Sequence, residues 1–319
     1  MSKLSIVIPV YYNEDNLRPL YEDLKTKVLS QLEEYELVMV DDGSKDNSWR
    51  VMQELTEADD NIRLLKLSRN FGSHAAMLAG LVYSTGDCAV IKAADLQEPS
   101  EIILEMYKMW KKGNKVVLAI REDREEGFSQ KLFAKLYYML VRKMALSNMP
   151  SNGFDIFLVD RQVINVLDLM DEKNSAITLQ VLWSGFQTAT VSYIRKKREI
   201  GKSRWTLKKK VKLVVDSILS FSFIPIRFMT GIGASFFGIA IIWGIYVIVN
   251  RLMGRIDAPG YTTLTILVLF SSGLIMFTLG LLGEYIWRTL DAARKRPVYI
   301  IDEMHMGKEE IDTSLDVQE

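Results

Sequence analysis

Asp95, Leu96 and Gln97 place a carboxylate and an amide oxygen two residues apart. Hard oxygens at that spacing suit Mg2+ or Mn2+, which take one or two carboxylates and leave other positions to substrate phosphates. Asp41 and Asp42 are adjacent carboxylates followed by Gly43 and Ser44. At the end of a strand they can accept from ribose hydroxyls or a base N–H, while an Asp-Gly turn by itself is commonly structural. A basic stretch runs from Arg195 to Lys212 and includes Arg198 and Arg204. The planar fork of arginine matches phosphate oxygens in pairs, so Arg198 is a stronger phosphate ligand than the lysines beside it. Lys208, Lys209, Lys210 and Lys212 suit general attraction to anionic lipid equally well.

Bulk composition narrows the classes. Lys+Arg and Asp+Glu are both 40 in 319 residues, which gives no argument for nucleic acid. A single cysteine, Cys88, excludes an intrachain disulfide and fits a reducing compartment. With only His74 and His305 beside it, a zinc site is not expected. Residues 5–10 are apolar, but the run is short and polar residues 12–15 follow at once, so no secretory signal is expected.

The polar clusters need elements to position them. Leu4–Val10, Glu36–Val40, Ile62–Leu67, Cys88–Lys92 and Lys115–Ile120 read as strands buried on both faces. Helical patterns separate them at Asn16–Leu32, Ser48–Ala58, Ala75–Ser84 and Ser100–Lys112. This rhythm predicts a mostly parallel sheet with helices on both faces, and ligands at the carboxyl ends of the strands. Four clusters fall at those ends: Tyr11–Glu14, Asp41–Ser44, Ser68–Gly72 and Ala93–Gln97.

The mean hydropathy of +0.07 hides a split, because the apolar excess follows residue 225. Phe228–Asn250 and Ala258–Gly283 carry no charge, and each exceeds the roughly 20 residues that span a bilayer core. The short connection 251–257 predicts an antiparallel hairpin, in place of a pair of buried core helices. Leu207–Phe223 reads as an amphipathic helix at the headgroup layer, with an ordinary surface helix as the competing reading. Basic residues before the hairpin, and Arg288, Arg294, Lys295 and Arg296 after it, predict that both termini are cytoplasmic. The expected domains are 1–206, catalytic; 207–226, juxtamembrane; 227–287, with spans near 228–250 and 261–283; and 288–319, a cytoplasmic tail.

SIVIPVYYNE, VDDGSKDNS, LSRNFGSHAAMLAGL, GDCAVIKAADLQEPSE, GFDIFLVDR, GKSRW and GEYIWRTLDAARKRPVYII occur in this order. Together they resemble the family 2 glycosyltransferases that act on polyprenyl phosphates, of the dolichyl-phosphate mannose synthase and bactoprenol glucosyltransferase type. The resemblance extends to about residue 301. It implies a GT-A fold and inverting transfer of a hexose from a UDP-sugar, glucose first, to polyprenyl phosphate at a bacterial inner membrane. It also implies a membrane-linked homo-oligomer, a tetramer in the family. Carried onto this chain, Pro9, Tyr11, Glu14, Asp41 and Asp42 would line the nucleotide pocket, and Asp95 and Gln97 would hold Mg2+ or Mn2+. Arg198, Ser203 and Arg204 would clamp the diphosphate; Arg121, Arg124 and Lys131 would meet the lipid phosphate; Asp155 falls at the family's acceptor-side acidic position. Asp95, Asp155 and Arg124 are the expected catalytic residues.

Two departures stand out. The family's Asp-x-Asp is Ala93-Ala94-Asp95 here, so the first carboxylate is missing, with Glu98 as a candidate substitute. Lys92 adjoins the gap but need not point into the site. His74 stands where relatives often carry Gln, and is expected to be a polar residue at a helix start. Competing readings are another donor (GDP-mannose, UDP-GlcNAc or UDP-galactose), a processive polysaccharide synthase, and an inactive membrane-bound scaffold. The synthase reading expects Gln-x-x-Arg-Trp, where this chain has Gly201 before Arg204-Trp205, and more spans than two.

Overall fold

A computed structural model describes residues 2–122, 137–143, 145–170, 172, 175–195, 207–222, 224–253 and 260–305. It divides into two compact units, one of residues 1–217 with 297–319 and one of residues 218–296.

Among the described residues, the first unit is built on an eight-stranded sheet. Its strands are Leu4–Val10 (β1), Tyr35–Asp41 (β2), Ile62–Leu67 (β3), Cys88–Ile91 (β4), Val116–Arg121 (β5), Phe154–Asp160 (β6), Thr188–Tyr193 (β7) and Ile301–His305 (β8). Their order is β7-β5-β6-β4-β1-β2-β3-β8. β1 pairs in parallel with β2 and with β4, β2 with β3, and β5 with β7. Only β6 and β8 run against the rest. The central strands are the continuous apolar runs of the sequence, and Leu4, Ile6, Val7 and Val10 of β1 are fully buried. Both faces are covered, as a parallel sheet requires.

Helices supply the cover. Glu14–Lys27 (α1) buries Leu17, Leu20, Tyr21 and Leu24, the i, i+3, i+4, i+7 stripe of an amphipathic helix. Glu14 and Asp15 in its first turn and Lys25 and Lys27 in its last oppose the helix dipole favourably. It stops earlier than the sequence pattern suggests, because the chain leaves helical geometry at Val28 and forms a separate 3-10 turn over Leu29–Gln31. Ser48–Thr56 (α2), Ser73–Val82 (α3) and Ile102–Lys111 (α4) follow their strands as expected. Small residues let α3 sit close on the sheet: a Cβ added at Gly80 would lie 2.2 Å from Val7 Cγ1 and 3.0 Å from Val40 Cγ2.

Beyond β5 the sheet departs from simple alternation. β6 enters antiparallel between β4 and β5, so Asp155 at its start lies at the carboxyl ends of its neighbours. Arg161–Asp168 (α5), capped by the Asp160 carboxylate accepting from Gln162 N–H, and Ile177–Trp183 (α6) precede β7. β8 is a strand that the hydropathy reading did not anticipate. It pairs antiparallel with the β3 edge, and Ser68 N–H donates to Ile300 O at 3.0 Å.

The expected helix after the basic stretch forms as Leu207–Phe221 (α7). The second unit contains two long helices, Ile224–Leu252 (α8) and Tyr261–Ala293 (α9). Segments Ile224–Trp243 and Phe270–Ala293, with mean hydropathies of 1.6 and 1.2, are long and apolar enough to cross a membrane. Their burial distinguishes them from core helices: Ile242, Met276 and Phe277 are each well over half exposed. Such a surface calls for an apolar surrounding.

Gly80→Ala should force α3 off β1. The expected cost is about 1–3 kcal/mol, read as a lower urea midpoint of the full chain in detergent. An unchanged midpoint would show that α3 is not seated on Val7.

Candidate active site

The carboxyl ends of β1 to β4 gather the four polar clusters at one edge, and the loops are tied to each other before any ligand is considered. Tyr12 N–H donates to Ser44 Oγ at 3.0 Å, and Asn13 N–H to Ser48 Oγ at 2.9 Å. Glu14 begins α1 and its carboxylate accepts from Asn47 N–H at 2.8 Å. Pro9 is half-buried opposite Val40, and the Tyr11 ring meets Tyr12 edge-on at 4.6 Å. Tyr12 and Leu96 are non-glycine residues held at φ 56 and 57. Such backbone costs energy, and it tends to collect where a site must be shaped.

Asp41 and Asp42 are both buried, and each is used by the protein itself. Asp41 accepts from Ser44 N–H at 3.2 Å. Asp42 accepts from Phe71 N–H at 2.7 Å, Gly72 N–H at 3.0 Å and Asn70 Nδ2 at 2.8 Å. It thereby locks the turn after β2 to the loop that opens α3. Gly43, at φ 70, passes so close to this loop that a Cβ would lie 2.6 Å from the Arg69 carbonyl carbon. Burial pushes the Asp42 carboxyl up to about 6, against the opposing effect of those N–H donors. Burial also pushes Asp41 up.

The loop after β4 is anchored from beneath. Lys92 is fully buried; its Nζ donates to Glu98 O at 2.5 Å and lies 3.8 Å from the Glu98 carboxylate. Glu98 also accepts from Ala93 N–H at 3.3 Å. Burial pushes Glu98 up and Lys92 down, and each charge draws the other back. Glu98, the expected substitute for the carboxylate missing at Ala93, is therefore turned inward to Lys92. Asp95 is held by Gln97 N–H, which donates to Oδ1 at 3.2 Å.

On the other side stand Arg121 at the end of β5 and Asp155 at the start of β6, joined as an ion pair. Arg121 Nε donates to the Tyr193 hydroxyl at 3.3 Å. The residue that sequence reasoning missed is Arg195. One of its nitrogens donates to Gln97 Oε1 at 2.7 Å and lies 3.8 Å from Asp95 Oδ2, and the other lies 3.9 Å from Asp155 Oδ2. Asp95, Gln97, Asp155 and Arg121 are thus brought together around Arg195. Arg124, Lys131, Arg198, Ser203 and Arg204 lie outside the described residues.

Among the described residues no three His, Cys, Asp or Glu side chains gather to enclose a metal. A divalent cation at Asp95 and Gln97 would take its other oxygens from substrate. The pair does attract positive charge, since a guanidinium already lies against both oxygens. His74 is the second residue of α3, as expected. Its ring nitrogens are buried without hydrogen bonds among the described residues, and burial pushes it down to about 4. A shallow hollow lined by Ser2, Trp110, Lys115 and Asp160 lies at the opposite ends of the strands.

Asp42 titrates near 3.8 when unfolded and near 6 when folded, so the folded domain binds the extra proton between those values. Its stabilising contribution is complete below the lower value and is lost as pH rises through the higher one. Relative to Asp42→Asn, the full chain should gain melting temperature when pH falls from about 7.5 to about 5. Parallel melting curves across that range would contradict the buried, raised carboxyl.

The model of glycosyl transferase family 2 matches residues 5–168, and that of the GtrB C-terminal hairpin matches residues 224–288. The chain is similar to the uncharacterized glycosyltransferase YkcC of Bacillus subtilis, 36% identical over 302 residues that cover 94% of each chain. It is 33% identical to the bactoprenol glucosyl transferase of Shigella phage SfII over 306 residues, 96% of this chain and 99% of the other. Among solved structures, glucosyl-3-phosphoglycerate synthase from Mycobacterium tuberculosis, in complex with Mn2+, UDP and glucosyl-3-phosphoglycerate, aligns with a TM-score of 0.49 and 14% identity. That alignment covers 69% of this chain and 79% of the synthase. Divalent metals are common in GT-A enzymes. The chain belongs to glycosyl transferase family 2 and is a glycosyltransferase of GT-A fold.

Proposed function

We propose that this enzyme transfers glucose from UDP-glucose to a polyprenyl phosphate at a membrane surface, with inversion at the anomeric carbon. The observation that carries the reading is the meeting of Asp95, Gln97, Arg195, Arg121 and Asp155 at one sheet edge, in a chain that also bears two apolar helices of spanning length. Relatives similar over nearly the whole chain are bactoprenol glucosyl transferases, which supports a lipid phosphate as acceptor.

The chemistry asks little of a general base. A phosphomonoester is anionic near pH 7, since its second pKa is about 6. Its oxygen attacks the anomeric carbon while the bond to the nucleoside diphosphate breaks. The protein must align the two substrates and offset the negative charge on the leaving diphosphate. Asp95 and Gln97 are the residues that would hold Mg2+ or Mn2+, and that cation would neutralise the diphosphate when bound. Arg121, oriented by Asp155 and Tyr193, offers a donor fork on the acceptor side. Arg124 and Lys131 are proposed to meet the lipid phosphate with it, and Arg198, Ser203 and Arg204 to clamp the donor diphosphate. Basic residues flank both ends of the apolar pair, which supports a hairpin with both termini on the cytoplasmic side.

Purified full chain in detergent, given undecaprenyl phosphate and radiolabelled UDP-glucose, should yield lipid-soluble label. No such label from UDP-glucose, UDP-galactose, UDP-GlcNAc or GDP-mannose, beside a competent control enzyme, would overturn the reading. Asp95→Ala should lose about 100-fold or more in turnover with an unchanged melting temperature. Wild-type turnover in that variant would remove Asp95 from the mechanism.

A further inference from the structure

We infer that Arg195 is an exchangeable counter-cation, which competes with a divalent cation for Asp95 and Gln97 and makes metal binding depend on the donor diphosphate. The inference rests on the proposed metal position at those two residues. Three features of Arg195 carry it.

First, its location follows from the topology. β7 runs parallel to β5, with Tyr193 opposite Arg121, so the chain leaving β7 must pass the carboxyl edge of the sheet. Arg195 is two residues beyond the end of that strand and reaches both sides of the site, Gln97 and Asp95 on one and Asp155 on the other. Second, its hold is loose. Among the described residues only the contact to Gln97 is within hydrogen-bond distance; the approaches to Asp95 and Asp155 are 3.8 and 3.9 Å. Third, its Nε is buried and makes no hydrogen bond among the described residues, which penalises this position. A guanidinium held this way neutralises the carboxylate without being locked to it.

A divalent cation needs the same oxygens. Two cations cannot share them without strong repulsion at such separations. The incoming metal must therefore displace the guanidinium, and a nucleoside diphosphate resolves the conflict by bringing negative charge for both. Arg195, once displaced, can pair with the diphosphate or stay with Asp155. It acts as a positioning residue: it holds the Asp95–Gln97 loop in register, and it discourages metal from binding without donor. Ala93 sharpens the effect, because no second carboxylate at that position outweighs the arginine charge.

The test measures Mn2+ binding to full-length protein in detergent by electron paramagnetic resonance, with and without UDP. Wild type should bind Mn2+ weakly alone and much more tightly with UDP. Arg195→Gln and Arg195→Ala should bind Mn2+ alone about fivefold or more tightly than wild type, and should show a smaller gain on adding UDP. Arg195→Lys, which keeps the charge, should restore weak binding, and Asp95→Ala placed on Arg195→Gln should abolish the gain. Binding of UDP alone checks that each variant has folded, and Arg195→Gln serves where Arg195→Ala does not fold. If wild type binds Mn2+ with UDP but neither neutral variant binds Mn2+ alone more tightly, the role of Arg195 is overturned while the metal position survives. If no protein binds Mn2+ under any condition, the metal position fails and the inference falls with it.

Discussion

A strand buried on both faces has no place for a polar side chain except its ends, and this constraint organises the whole domain. β1, β2 and β4 are covered on both sides, so the chain can expose chemistry only where it leaves them. Two charged side chains are carried into the interior beside them: Glu36 near the start of β2, held by Ser5, Thr85, Lys3 and Arg63, and Lys92, next after β4, which is matched by Glu98. Breaking such a pair by removing one partner is strongly destabilising, because the other charge is left buried and alone. The pair therefore does more than balance charge. It ties Ala93 to Glu98 across the base of the loop that carries Asp95 and Gln97.

The same edge is completed from strands that do not follow the parallel rhythm. β6 runs backwards, which puts its first residues, and so Asp155, beside the carboxyl end of β5. β7 then returns parallel and delivers Arg195 to the same place. Asp42 works at the other end of the edge, where it binds the N–H groups at the start of α3 and so fixes one loop by means of another. Asp95 and Gln97 become neighbours of Arg121 and Asp155 through topology alone, although Asp95 and Arg195 are separated by a hundred positions in the chain.

Much of this could be read from sequence for definite reasons. Leu4–Val10 and the runs like it are continuous and apolar, which only a doubly covered strand explains in a chain of this rhythm. Asp95 and Gln97 stood out because they follow such a run. Less was legible where the pattern was mixed. β7, Thr-Ala-Thr-Val-Ser-Tyr, alternates and is partly exposed, as suits its place at the sheet edge, and without it Arg195 looked like one more member of a basic stretch. β8, Ile-Asp-Glu-Met-His, is short and polar, and it is a strand because the edge of β3 offers it hydrogen bonds. The inward turn of Glu98 depended on Lys92 being buried, which strand alternation alone could not decide. Asp42 is expected beside the nucleotide, and pattern alone does not reveal that its carboxylate also ties down the loop before α3 through backbone N–H groups.

Every role proposed for these residues requires a nucleotide-sugar at the carboxyl edge of this sheet. Photolabelling of the full chain with 5-azido-UDP-glucose, followed by peptide mapping, addresses it most directly. Label, competed by UDP, is expected in peptides holding residues 9–14, 41–47 or 93–97. Competed label confined to the opposite strand ends, around Ser2, Trp110 and Lys115, would contradict it.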